Sequence, residues 1–94
     1  MFVGLLVVDC RIGEGHSLKE KRRILQSLFA HLKRDYNVSI AEVEHQDKWQ
    51  RAKLAISHVN TDGRAAQATL NRVLEVISSD PRLMVMDSET IPLC

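Results

Sequence analysis

Apolar and polar positions alternate with two different periods along this chain, and each change of period marks an element. Residues 2–10 read Phe-Val-Gly-Leu-Leu-Val-Val-Asp-Cys. Phe2, Leu6 and Val8 fall on one face of an extended segment, and Val3, Leu5 and Val7 on the other. A strand apolar on both faces is a central one, covered twice. Residues 11–16 contain Gly13 and Gly15 and read as a loop. Ser17-Leu18-Lys19-Glu20 is then a capping box, in which the hydroxyl takes one free helix N–H and the carboxylate returns to another. Leu18, Leu25, Leu28, Phe29 and Leu32 follow at 3.6-residue spacing, so a helix is predicted from Ser17 to near Arg34.

Period two returns over residues 38–44 and 53–59, where Leu54 and Ile56 share one face and Ala55 and Val59 the other. The polar stretch 45–50 joins these strands as a slightly long hairpin. Asn60-Thr61-Asp62 supplies turn and cap residues for a second helix with Ala66, Leu70, Val73, Leu74 and Ile77 on its inner stripe. Ser78-Ser79-Asp80-Pro81 stops it, and a last strand is predicted over 83–87, with an extension to Ile91. The order β-α-β-β-α-β is the split βαβ pattern of the ferredoxin-like α+β fold: a four-stranded antiparallel sheet with two helices on one face. Residues 1–94 are read as a single domain.

Composition adds limits rather than a function. An apolar share of 45% argues for a packed core. A chain of 94 residues buries only about two-thirds of its unfolded surface, so self-association would help it. The net charge of +1 is unevenly spread. Residues 1–53 hold ten Lys/Arg against seven Asp/Glu, and residues 54–94 hold three against five. Any anionic partner would meet the first half. Cys10 and Cys94 are read as two free thiols in a reducing compartment. The apolar run at residues 2–8 is too short to span a membrane and lacks the leader and cleavage site of a signal peptide, so a cytoplasmic protein without membrane attachment is expected.

The right-handed crossover rule makes strands one and two parallel, with strand three between them. Three connections then share one end of the sheet: the loop entering helix one, the hairpin 45–50 and the loop before strand four. Arg11, Lys19, Lys21, Arg22, Arg23, Lys48, Trp49, Arg51 and Arg82 become neighbours there, against Glu14, Glu20, Glu44, Asp47 and Asp80. Lys19, Lys21, Arg22 and Arg23 crowd the first two turns of helix one, where the helix dipole disfavours each cation by roughly 0.3–1 kcal/mol. Two readings fit: an anion docked at the helix start, or solvated side chains that tolerate a small cost. The helical wheel puts Lys21 inside the apolar stripe, where it can snorkel past Leu18 and Leu25 or pair with a hairpin carboxylate; snorkelling is the expectation.

Several segments taken together resemble a known family. They are Ser17-Leu18-Lys19-Glu20-Lys21-Arg22, Tyr36-Asn37-Val38-Ser39-Ile40-Ala41-Glu42-Val43, Asp47-Lys48-Trp49-Gln50-Arg51-Ala52 and the opening Val3-Gly4. The combination, covering nearly the whole chain, resembles the YlxP-like family of small bacterial proteins, a domain of unknown function. The resemblance implies a ferredoxin-like fold and genes that often lie among those for transcription elongation, translation initiation and ribosome maturation. It implies no catalytic residues that carry over. The loop Gly13-Glu14-Gly15 is richer in glycine than that family's pattern.

Candidate chemistry is weak everywhere else. The stretch 13–19 follows a strand and opens a helix, but it has neither Walker spacing nor a third glycine. Alternation puts Glu42 and Glu44 on one strand face and His45 on the other, and no second histidine has zinc spacing; solvated hairpin charges are expected, and no metal or cofactor. His31 reads as a surface residue. Asn60-Thr61-Asp62-Gly63-Arg64 faintly resembles small phosphatases of this fold class, but the phosphate-cradling loop such enzymes need is absent around Arg11. Cys10 reads as a buried residue, and no histidine is placed in sequence to activate it. Trp49 stacks on a base, fills a partner's pocket or folds back over the sheet edge, the last slightly favoured. The expected function is therefore a non-enzymatic binding module for RNA or a ribosomal component, with Lys19, Lys21, Arg22, Arg23, Lys48, Trp49 and Arg51 as contacts. The alternative is a protein-interaction module, as a homodimer through the open sheet face or an edge strand, or docked on another protein. A small phosphatase-like or nucleotide-using enzyme is the least favoured.

Overall fold

The computed structural model describes residues 1–13 and 17–94. Its elements are β1 (Phe2–Ile12), α1 (Leu18–Asp35), β2 (Val38–Glu44), β3 (Arg51–Asn60), α2 (Gly63–Ser79) and β4 (Leu83–Pro92). The strands form one sheet in the order β2-β3-β1-β4, every neighbouring pair antiparallel. The β-α-β-β-α-β order and the central position of β1 agree with the periodicities. Gly4, Leu6, Val8, Cys10 and Ile12 form one buried row, and Ala52, Leu54, Ile56 and His58 the next. Leu25, Leu28 and Leu32 of α1 and Leu70, Val73 and Ile77 of α2 close over these rows in a single core. Each large aliphatic side chain so buried contributes about 1.5–3 kcal/mol.

The caps fall where the sequence puts them. Ser17 Oγ accepts from Glu20 N at 3.1 Å, and Asp62 Oδ1 accepts from Arg64 N at 3.1 Å. Glu14, Gly15 and His16 of the expected glycine-rich loop lie outside the described residues. β1 runs two residues beyond its predicted end, because Arg11 still pairs with Arg51 on one side and Met84 on the other, and Ile12 extends the inner row. β3 likewise starts at Arg51 and β4 continues to Pro92.

Gly4 lies under Leu70 of α2. A Cβ there would stand 2.8 Å from Leu70 Cδ1 and 2.9 Å from Phe2 Cε1. Gly4→Ala is expected to cost about 1–3 kcal/mol by overpacking, read as a lower urea midpoint. An unchanged midpoint would mean that Leu70 and Phe2 swing aside at no cost.

Two features were not foreseen. The β2–β3 register shifts between Glu42 and Glu44, so the two glutamates do not share a face. Simple alternation assumed an unbroken ladder, whereas one extra residue in β2 turns Glu42 under α1 and leaves Glu44 to pair with Lys53 at 2.9 Å. His58 is buried, with Nδ1 2.8 Å from the Asn37 carbonyl and Nε2 3.3 Å from Asn60 Nδ2. A carbonyl only accepts, so Nδ1 carries the proton and Nε2 accepts from Asn60. That bond ties the start of β2 to β3.

Candidate functional site

The end of the sheet that gathers the basic residues is stitched together by backbone bonds. Ile12 N donates to Gln50 O at 2.8 Å and Gly13 N to Arg82 O at 3.1 Å, so the end of β1 meets both the hairpin and the turn before β4. The first turns of α1 join them through one side chain. Lys21 is 1% exposed, and its Nζ donates to the carbonyls of His45 (2.6 Å), Lys48 (2.5 Å) and Arg51 (2.9 Å). An ammonium has three protons, and these carbonyls take all of them. Glu42 Oε2, 2.6 Å away, is the charge partner, which fits its making no directed hydrogen bond of its own.

The expectation that Lys21 snorkels is thereby overturned, and Lys21 leaves the set of surface contacts. The hairpin closes its route to water, so the charge is held inside with a counter-ion and full hydrogen bonding, which is the only economical way to bury one. His45 supports this cage at some cost. It has φ 68°, the left-handed region that disfavours side chains, and its carbonyl serves both Lys21 Nζ and Lys48 N (2.9 Å).

The remaining basic residues divide in two. Arg51 Nη2 donates to Asp9 Oδ1 (3.0 Å) and Oδ2 (2.9 Å), and Arg82 grips Asp80 through Nε (2.9 Å) and Nη2 (2.7 Å). These guanidinium groups are engaged by internal carboxylates. Lys19, Arg22, Arg23 and Lys48, with Arg11, are exposed and make no ion pair among the described residues. Trp49 is 37% exposed in the hairpin between Lys48 and Arg51. The predicted gathering of charge at one pole holds, with Lys21 inside it rather than on it.

Cys10 is buried, and burial, reinforced by the Asp9 and Glu42 charges, pushes its thiol up to about 11, so it stays protonated. Among the described residues no group of three His, Cys, Asp or Glu is close enough to hold a metal ion. No helix among them is long and apolar enough to cross a membrane.

A groove between the helices went unnoticed in the sequence. Leu28, His31 and Tyr36 form one wall and Arg72, Glu75 and Arg82 the other, around a volume of ≈ 810 Å³. Its charges are of both signs and Arg82 is already held by Asp80, so it presents no field of one sign. The Arg82 hydrogen bonds hold the Asp80 carboxyl below its ordinary 3.8. That pair therefore contributes stability above about pH 4, which is lost as pH falls through the depressed folded value. Asp80→Asn is expected to remove at most about 1 kcal/mol at pH 7, since Arg82 is partly exposed, and progressively less as pH falls through the depressed folded value. Urea midpoints of the two proteins across pH 2–7 measure the convergence, and a difference that persists unchanged at low pH contradicts it.

Comparison with known proteins bears on the fold and the family. The solution NMR structure of a de novo designed protein with ferredoxin fold superposes with a TM-score of 0.50 at 14% identity, covering 100% of this chain and 87% of that one. An uncharacterized protein of Bacillus subtilis (strain 168), YlxP, is 36% identical over 81 residues, which is 86% of this chain and 88% of the relative. The family described as Protein of unknown function (DUF503) matches residues 3–90. On that match, and on a relative of this identity across most of both sequences, the chain belongs to the DUF503, or YlxP-like, family.

Proposed function

We propose that the chain is a non-enzymatic module that holds RNA, free or within a ribosomal particle, at its basic pole. Lys19, Arg22, Arg23 and Lys48 contact phosphates and Trp49 lies against a base. The observation that carries the reading is the buried Lys21. By pinning the hairpin carbonyls to α1, it keeps four exposed cations and the lone indole on one rigid patch. Lys19, Arg22 and Arg23 also sit in the first two turns of α1, at the positive end of its dipole, an arrangement unfavourable to the free protein and relieved by a bound anion.

Titration of a stem-loop RNA, followed by Trp49 emission, tests this. Four phosphate contacts predict that affinity falls roughly 50- to 150-fold between 50 and 200 mM salt. Absence of binding at 50 mM salt to both the stem-loop and purified ribosomal subunits, or binding indifferent to salt, rejects the reading.

A further inference from the structure

Recognition of a single RNA strand relies on a run of aromatic side chains on which successive bases stack. This chain has one Trp, one Tyr and two Phe, and three of the four lie away from the basic pole. Phe2 sits at the opposite end of the sheet, its Cε1 2.9 Å from where a Cβ of Gly4 would stand and its ring against Gly63. Phe29 and Tyr36 pack against the core, and Tyr36 caps the far end of α1. The open face of the sheet offers no stacking ring at its centre. It presents Leu5, Val7 and Asp9 from β1, and Lys53, Ala55 and Ser57 from β3. Trp49 is therefore the one large aromatic at the pole, 37% exposed, with room for a single base.

The cations around it are set for a rigid target. Lys19 and Arg23 stand about one turn of α1 apart, roughly 5.4 Å along its axis, with Arg22 beside them, and Lys48 comes from the hairpin. Lys21 ties the hairpin to the helix through three carbonyls, so the two groups of cations cannot close independently around a flexible strand. A fixed set of cations is best matched by phosphates that are themselves held at fixed spacing, as they are in a duplex and not in a single strand. Inside a duplex, however, every base is already stacked on both faces and has none to offer an indole. Both parts of the pole are satisfied together by a duplex that carries one base outside its stack. Building on the RNA reading above, we propose that the pole recognises double-stranded RNA beside a single unpaired nucleotide. Phosphates of the stem lie on Lys19, Arg22, Arg23 and Lys48, and the free base lies on Trp49.

Four labelled RNAs test this by fluorescence anisotropy of the full chain at low salt. They are a short blunt duplex, the same duplex with one bulged adenosine, the same duplex with one adenosine overhanging an end, and one of its strands alone. The bulged and overhanging forms separate the two sources of an unpaired base. At least one of them is expected to bind about tenfold tighter than the blunt duplex, and the single strand no tighter than the blunt duplex. Trp49→Ala should bring the ratio of unpaired to blunt down to about two or less, and Trp49→Phe should restore part of it. Circular dichroism melting checks that both variants fold. A single strand that binds as tightly as the better duplex, no distinction between the unpaired forms and the blunt one, or a ratio that survives Trp49→Ala overturns the proposal. Failure of all four RNAs where ribosomal subunits still bind overturns it alone; failure of the subunits as well removes the RNA reading with it.

Discussion

Lys21→Met is expected to destabilise the domain by about 3–5 kcal/mol, the cost of removing one partner from a buried ion pair. The methionine fills nearly the same volume, so the loss is electrostatic. It strands the Glu42 carboxylate, whose side chain is 17% exposed, and takes the Lys21 donor from the carbonyls of Lys48 and Arg51, while that of His45 keeps its bond from Lys48 N. Folded domains retain only about 5–15 kcal/mol in total, so a chain of this size would be brought near the edge of folding. The double variant Lys21→Met/Glu42→Gln removes the stranded charge but not the orphaned carbonyls. It should recover part of the loss and leave about 1–3 kcal/mol. Urea unfolding gives both values. Because Trp49 is the sole tryptophan, its emission reports whether the hairpin loosens before the core does. A single-variant loss under about 1 kcal/mol is too small for a buried ion pair and would mean that the ammonium is not held inside the hairpin.

Charge reversal at the pole should have the largest functional effect. Arg22→Glu/Arg23→Glu/Lys48→Glu is expected to weaken RNA binding by roughly 100-fold or more at low salt and to reduce the salt slope by about one unit per contact removed. These side chains are exposed and make no ion pair among the described residues, so stability should change little. Lys33→Glu/Arg64→Glu/Arg72→Glu, with the same three reversals on the last turn of α1 and on α2, makes a charge-matched control and should bind nearly as the parent does. Trp49→Ala adds a separate loss of about 1–3 kcal/mol if the indole stacks on a base. If the control variant loses as much as the pole variant, binding follows net charge and the pole has no special part in it.

The adjacency on which this reading rests was legible because topology alone supplies it. Once β1, α1 and β2 are read as a crossover unit, the start of α1 and the hairpin must share an end of the sheet. The glycine of Val3-Gly4 also finds its reason in packing, since Leu70 and Phe2 occupy the space a side chain would take. The fate of Lys21 was half legible. Its place on the apolar stripe signalled something unusual, but a helical wheel does not show what lies opposite.

The order and type of the elements, their caps, and the concentration of cations at one pole were determined by the sequence itself, because each depends on residues a few positions apart or on the handedness of the chain. Tertiary structure decided which of those cations remain at the surface. Lys21 is held by groups 21 to 30 residues further along, and Arg51 by Asp9, 42 residues before it. A one-residue shift in the β2–β3 ladder turned Glu42 inward and Glu44 outward. Long-range pairing and register are properties of how segments meet, and the cost of an unpaired buried charge then chooses the partner.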